Sequence, residues 1–327
     1  MKVLYLAQPG TLQPWYDDVK NPCLGRHIVQ LYDATLPLGP QLEGAQVVVD
    51  QGGSVGTPEI MKAAAEAGVQ LWQILGTGLD HVDLTYLSEC GLTVANTPGP
   101  FSAIALAEHS LFLMLYLLRH FPKVQQNIAR GIRCDPMADE LHGQTLGIVG
   151  LGASGRELAR RAHAFGMQVV AIDSLPWDPE TADGLMIDFI GDASRLDEIL
   201  ERSDIVSLHV PLLSSTEMMI NRDKLRLMKP TALLINVARG GLVDEQALAD
   251  ALRDRWIRGA GVDVFAVEPV ATNHPLLSMD NVVITNHVAG MTSGTSRRRG
   301  LAVADNIDRV SQGERPLHVV VGNAPLS

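Results

Sequence analysis

Cysteine is scarce. The chain has three, Cys23, Cys90 and Cys134, far apart and without Cys-x-x-Cys spacing. An odd number so arranged argues against a disulfide framework and against a zinc site, so no metal is expected, and a reducing cytoplasmic location is. Positive charge is also short: Lys plus Arg number 26 against 37 Asp plus Glu, a net charge of −11. Such a surface repels phosphate backbones and anionic lipid, so neither nucleic acid nor a membrane is an expected partner. Long apolar runs are missing. Met1–Ala7 is too short for a signal peptide and is ended by Gln8-Pro9-Gly10, so it reads as a first buried strand. Ala103–Leu118 is interrupted by Glu108 and His109 and falls short of a bilayer span, so it reads as a buried helix. Internal repeats, low-complexity tracts and long charged linkers are absent too.

What is present is enough apolar material for a large interior. At 327 residues, 46% hydrophobic and 19% charged, the chain is expected to fold as two domains, and disorder is excluded as its main state. Short β-branched runs alternate with helical patterns throughout, which predicts an α/β protein with parallel sheets covered by helices. Expected strands are Val3–Ala7, Gln46–Asp50, Leu71–Leu75 and Leu92–Ala95, with a helix from Pro58 to Ala67. After Asn96-Thr97-Pro98-Gly99-Pro100 a second series begins, with strands at Thr145–Val149, Val169–Ile172, Ile205–His209, Ala232–Asn236, Gly261–Val264 and Val282–Thr285. The tail, from about Gly290, holds a helix and then His318-Val319-Val320-Val321. It is too little to fold alone and is expected to return to the first domain. The reading is therefore a first domain of residues 1–99 plus 291–327 and a second of 100–290, two doubly wound parallel-sheet domains around a hinged cleft. The triplet Arg297-Arg298-Arg299 reads as a solvated helix face.

The most informative segment is Gly150-Leu151-Gly152-Ala153-Ser154-Gly155. A strand precedes it, and a helix follows with Leu158, Ala162 and Phe165 at i, i+4, i+7. Gly150 suits the tight turn, Gly152 lets a pyrophosphate approach the backbone, and Gly155 permits close helix–strand packing. The helix N-terminus offers unpaired N–H groups and a positive dipole end to phosphates. Asp173 closes the next strand 23 residues beyond Gly150, where a carboxylate can accept both ribose hydroxyls. NAD is the expected cofactor rather than NADP, because Asp173 would repel a 2′-phosphate and Ser174-Leu175-Pro176-Trp177 supplies no Arg to offset it.

Gly76-Thr77-Gly78 is a second glycine pair after a strand, without a third glycine or a ribose-binding acid. The local pattern leaves open an anion nest for a small carboxylate and an ordinary turn. Three polar residues stand at the ends of expected strands, where open α/β sheets present their ligand crevice: Arg239, Glu268 and His287.

Taken together, Gly150–Gly155 with Asp173, His209-Val210-Pro211-Leu212, Ile235-Asn236-Val237-Ala238-Arg239-Gly240-Gly241-Leu242-Val243-Asp244-Glu245, Gly261-Val262-Asp263-Val264-Phe265 with Glu268-Pro269, and His287 resemble the D-isomer-specific 2-hydroxyacid dehydrogenase family over nearly the whole chain. The resemblance implies a flavodoxin-like substrate domain and a Rossmann NAD-binding domain. It implies a catalytic set of Arg239, Glu268 and His287, with Asp263 holding the nicotinamide carboxamide. Gly150, Gly152, Ala153, Ser154, Gly155, Asp173, His209, Pro211, Val237, Ala238 and Gly290 would complete the cofactor contacts. Gly76, Thr77, Gly78 and Gln51, with Arg239, would meet the substrate, the Gly76–Gly78 turn through backbone N–H groups.

The chemistry fits these residue types. Reduction at C2 of a 2-oxo acid needs an acid of near-neutral pKa beside the carbonyl oxygen, a task suited to a histidine raised by a neighbouring carboxylate. A guanidinium binds the carboxylate and polarises the carbonyl. The chain departs from the family at Ser154, where Ile is frequent, at Asn286, where Pro is usual, and at Ser102, where Asn is common. Gln51 takes the place of an Arg found in members that handle phosphorylated acids. These features point to a small unphosphorylated 2-oxo or 2-hydroxy acid such as glyoxylate or hydroxypyruvate. Alternatives are oxidation of phosphite or 3-phosphoglycerate, and an NAD(H)-sensing protein like the family's corepressors. A homodimer through Ala103–Leu118 is expected from that helix's apolarity and from the resemblance.

Overall fold

The computed structural model describes residues 1–176 and 184–322. Trp177 and residues 323–327, which entered the cofactor and domain readings, lie outside them. Two compact units form, Met1–Ser102 with Thr292–Ser327, and Ala103–Met291.

The first unit is built on β1 (Lys2–Leu6), β2 (Ile28–Leu31), β3 (Ala45–Gln51), β4 (Leu71–Leu75), β5 (Thr93–Ala95) and the last strand among the described residues, β13 (Val319–Val321). Their order across the sheet is β13-β5-β4-β3-β1-β2. The five N-terminal strands thus run 2-1-3-4-5, the flavodoxin-like order. Both faces are covered. Val3, Tyr5, Val47 and Val49 pack toward the helices Trp15–Cys23 and Ser293–Ser311, while Leu4, Leu6, Val48 and Trp72 pack on the other side with Ile60, Met61 and Ala64. Alternate residues therefore face opposite cores, which is why the strands read as continuous apolar runs.

Two features differ from the sequence reading. β2 was not expected: it is an edge strand, with Ile28 exposed and only Val29 buried, so it lacks the apolar run that marks its neighbours. β13 pairs antiparallel with β5, so this sheet is mixed at one edge rather than wholly parallel.

The second unit carries β6 (Thr145–Val149), β7 (Gln168–Asp173), β8 (Phe189–Asp192), β9 (Ile205–Leu208), β10 (Leu233–Asn236), β11 (Gly259–Val262) and β12 (Val282–Ile284), all parallel. Their order, β12-β11-β10-β9-β6-β7-β8, reverses direction between β6 and β9. Open α/β sheets bind ligands outside the carboxyl ends of strands at such a switch point. β8 was missed because it too is an edge strand, none of whose residues is fully buried. The helix Ala103–Leu118 approaches β11 closely. A Cβ on Gly261 would stand 2.8 Å from Leu113 Cβ, so glycine is needed there for the helix to seat. No single helix among the described residues is long and apolar enough to cross a membrane. Ala103–Leu118 and Phe121–Ala129 reach that test only as a pair, bent by 50°.

Candidate active site

The glycine-rich turn joins β6 to the helix Ala153–Ala164, whose N-cap is Gly152. Its three glycines are required for different reasons. Gly150 has φ +95°, and a Cβ there would lie 2.6 Å from Val210 Cγ1 and 2.7 Å from His209 O, on the far side of the switch point. At Gly155 a Cβ would lie 2.2 Å from Gly150 O. At Gly152 it would meet nothing within 4 Å. Packing therefore explains the first and third glycines, whereas the open space over the second is a cradle beside a helix N-terminus, and the turn fits a dinucleotide pyrophosphate.

Asp173 ends β7, and its carboxylate accepts from Leu151 N at 2.7 Å and Leu175 N at 3.0 Å. The acid is thereby tied to the glycine turn, with acceptor capacity left for ribose hydroxyls. His209 lies between two hydroxyls, its Nδ1 3.0 Å from Ser154 Oγ and its Nε2 2.9 Å from Ser207 Oγ. Burial pushes its pKa down to about 4, so the ring is neutral at neutral pH. Ser154, where the family frequently has Ile, thus braces the turn against the residue after β9. Val237 is buried, Ala238 N donates to Asn236 Oδ1, and Pro211 O accepts from Thr216. Ala153 and Gly290 are half-buried.

The structure brings Arg239, Glu268 and His287 together at the carboxyl ends of β10, β11 and β12. Gly240 makes part of this possible, since a Cβ on it would fall 1.9 Å from the Phe265 carbonyl carbon. The segment after β10 therefore lies directly against the one leading to Glu268. Arg239 is held by its own backbone, with Nη1 donating to Ala238 O and its carbonyl accepting from Asn236 Nδ2, both at 2.8 Å.

Glu268 Oε1 accepts from Phe265 N at 2.9 Å, and Oε2 lies 2.7 Å from His287 Nδ1. Burial works to raise the Glu268 pKa, but the hydrogen bonds from His287 and Phe265 and the charges of His287 and Arg239 hold it below its ordinary value. The hydrogen bond to Glu268 raises the His287 pKa, against burial and the Arg239 charge. The pair is thus biased toward imidazolium and carboxylate, with Nδ1 engaged and Nε2 left as the proton-bearing outer atom.

His287 has φ +60°, in the left-handed region that costs a residue other than glycine about 1–2 kcal/mol. Asp263 holds it there. Its carbonyl accepts from His287 N at 2.7 Å, and its carboxylate accepts from Val288 N and Ala289 N, each at 2.9 Å, and from Thr285 Oγ1 at 2.5 Å. His109 Nε2 lies 2.9 Å from that same Thr285 hydroxyl. Asp263 is 1% exposed. The resemblance makes it the partner of the nicotinamide carboxamide, and three of its acceptor positions also clamp the His287 loop. Thr285 and His109 were not singled out in sequence, because their role comes from a contact across 176 residues that no local motif encodes.

In the first unit, the backbone N–H groups of Thr77 and Gly78 donate to none of the described residues. The Thr77 hydroxyl donates to Thr97 O at 3.0 Å and accepts from Arg299 Nη2 at 2.8 Å. Gly76 is buried against Gly52. Gln51, expected to meet substrate, is 3% exposed. Its amide is spent on the protein: Oε1 accepts from Tyr5 Oη, and Nε2 donates to Thr11 O and Thr11 Oγ1. It braces the segment after β1 and offers nothing to a ligand. The basic triplet is likewise not a solvated face. Arg297 alone is exposed, and Arg298 and Arg299 turn inward.

A family model described as D-isomer specific 2-hydroxyacid dehydrogenase, NAD binding domain, matches residues 111–289. The chain is similar to a D-3-phosphoglycerate dehydrogenase of Methanocaldococcus jannaschii, 36% identical over 86% of this chain, and spans about half, 52%, of that protein's length. It is also similar to a glyoxylate reductase of Thermofilum pendens, 38% identical over 79% of this chain and 76% of the relative. Among solved structures it resembles a D-isomer specific 2-hydroxyacid dehydrogenase from Lactobacillus delbrueckii ssp. bulgaricus in its NAD-complexed form, with a TM-score of 0.80, 28% identity, and coverage of 98% of this chain and 100% of the other. The matched region holds the glycine turn, Asp173 and the Arg239, Glu268 and His287 cluster. The chain belongs to the D-isomer specific 2-hydroxyacid dehydrogenase family and is, with it, an NAD-dependent oxidoreductase of 2-hydroxy acids.

Proposed function

We propose that this protein reduces a small 2-oxo acid at C2 to the D-2-hydroxy acid, with glyoxylate or hydroxypyruvate as the model substrate. The observation that carries the reading is the 2.7 Å contact between His287 Nδ1 and Glu268 Oε2, on a loop clamped by Asp263. Bound NADH supplies the hydride. His287 Nε2 gives its proton to the carbonyl oxygen that becomes the alcohol, and Glu268 stabilises the imidazolium before that transfer. Arg239 binds the carboxylate and draws charge toward the oxygen through its N–H donors. Thr77 and Gly78 offer N–H groups to an acidic group of the substrate, and Asp173 accepts the ribose hydroxyls, which favours NAD over NADP.

The absence of a cation at position 51 disfavours a phosphorylated acid bound through that residue. A homodimer is proposed through the outer side of Ala103–Leu118, where Leu111, Phe112, Leu115, Tyr116 and Phe121 line an apolar groove. A cytoplasmic location suits three cysteines that are all free.

The test is NADH oxidation against a panel of 2-oxo acids, with His287→Ala beside the parent. Turnover is expected, and His287→Ala should lower it by about 10²–10⁴-fold with little change in NADH affinity. Near-normal turnover in that variant removes His287 from the acid role. Tight NADH binding with no turnover on any acid, in either direction, would instead indicate a sensor.

A further inference from the structure

Arg299 occupies an unusual place for a guanidinium. It stands on the helix Ser293–Ser311, yet its Nη2 donates to Thr77 Oγ1 at 2.8 Å and its Nε is shut off from solvent with no acceptor. The guanidinium carbon lies 5.8 Å from the centroid of the Trp15 ring. Neither Arg298 nor Arg299 forms an ion pair among the described residues. Arg298 uses its Nε on Phe101 O, and the Asp18 carboxylate accepts from Ser296 Oγ at 2.6 Å. Burial and the adjacent Arg298 charge push the Arg299 pKa down to about 10, which leaves it cationic at neutral pH.

A desolvated cation without a counter-charge destabilises a fold, and buried arginines are ordinarily matched by carboxylates. This one is instead placed on the middle residue of the Gly76–Gly78 turn. The Thr77 hydroxyl hydrogen goes to Thr97 O, so its oxygen serves as the acceptor that aims the guanidinium. The N–H groups of Thr77 and Gly78 have no described acceptor either. Unused backbone donors and a guanidinium without a counter-charge thus meet at one residue.

We propose that Arg299, with the backbone N–H groups of Thr77 and Gly78, forms an oxyanion-binding site in the first unit that takes an acidic group of the organic acid substrate. The proposal rests on the function read above for the identity of the ligand, though not for the existence of the site. A carboxylate, sulfonate or phosphate satisfies the same donors, and the group is either the C1 carboxylate common to all 2-oxo acids or a second acidic group on a diacid.

The site is tested first without turnover, by calorimetric titration of the full chain with acetate and malonate. Malonate or both are expected to bind. Arg299→Met, which keeps the bulk and removes the charge, should weaken binding about tenfold or more, while Arg299→Lys retains part of it. The Met variant is expected to melt no lower than the parent, since it loses an unpaired cation. Unchanged binding in Arg299→Met, or no binding of either acid by the parent, overturns the proposal.

Kinetics then identify the group. A rise in KM for glyoxylate and for diacids alike assigns the C1 carboxylate. A rise confined to oxaloacetate, sulfopyruvate or phosphohydroxypyruvate assigns a second acidic group. If all substrates keep their KM while turnover persists, the site is refuted and the function stands. If anion binding depends on Arg299 but no 2-oxo acid turns over, the site stands and the function fails.

Discussion

His287 Nδ1 sits 2.7 Å from Glu268 Oε2 while the backbone of His287 is held in a left-handed conformation by Asp263. The imidazole–carboxylate pair is thus fixed from both its side chain and its main chain. Because the hydrogen bond to Glu268 raises the His287 pKa, reduction should be fast below that raised value and fall as pH rises through it. Glu268→Gln removes the charge and should move the fall to lower pH. Profiles of kcat/KM against pH for both proteins measure the displacement, and coincident profiles would detach Glu268 from the titration.

The glycine turn gives a contrast between two neighbouring substitutions. Gly152→Ala meets open space and should leave thermal stability unchanged while weakening NADH binding, because the added methyl enters the pyrophosphate cradle. Gly155→Ala drives a Cβ into Gly150 O and should destabilise by about 1–3 kcal/mol. Fluorescence titration with NADH and denaturant unfolding separate the two effects, and equal stability loss in both would show that packing, not the nucleotide, demands Gly152.

Asp173 is the residue proposed to set the preference for NAD. Asp173→Ser should lower NADH affinity and narrow the NADH to NADPH ratio in kcat/KM by about tenfold or more, since the repulsion of a 2′-phosphate goes with the carboxylate. A ratio that does not move would place cofactor choice elsewhere.

Thr285 links His109 to the Asp263 carboxylate. Thr285→Val keeps the shape and deletes the hydroxyl, leaving a fully buried carboxylate with one donor fewer, and should destabilise by about 1–3 kcal/mol. Because that carboxylate clamps the residues after His287, kcat should fall as well. Stability loss with kcat intact would limit Thr285 to a structural part.

Asp50 supplies a test of stability against pH. Burial raises its pKa to about 6, with the N–H groups of Val55 and Gly56 offsetting part of the effect. A carboxyl raised in the folded state contributes fully below its unfolded value and loses that contribution as pH climbs through the folded one. From about pH 4 to pH 7 the loss is about 2 kcal/mol. Asn at this position does not titrate. The stability difference between Asp50→Asn and the parent should therefore move in favour of Asn over that range, and a flat difference would contradict the raised value.

Much of this was legible in the residues because the signals were local. Each interior strand announced itself as an apolar run, and the glycine turn and Asp173 carried their own spacing. Arg239, Glu268 and His287 could be placed at strand ends before any coordinates. The edge strands β2 and β8 were not visible, since partial exposure removes the apolar run. The antiparallel β13 depends on a pairing with β5 far away in the chain. Gln51 and Arg299 misled for one reason: whether a polar side chain is spent on the protein or offered to a ligand depends on neighbours such as Thr11 and Thr77, which sequence distance conceals.

The pairing of β13 with β5 also bears on synthesis. The central segment Ala103–Met291 emerges as a continuous stretch and can complete its sheet while the ribosome is still at work. The flanking unit cannot, because the helix Ser293–Ser311 that covers Val3, Tyr5 and Val49, and the strand that closes its edge, are translated after that segment. Nascent chains released before that point should show a protease-resistant centre and a vulnerable amino-terminal third.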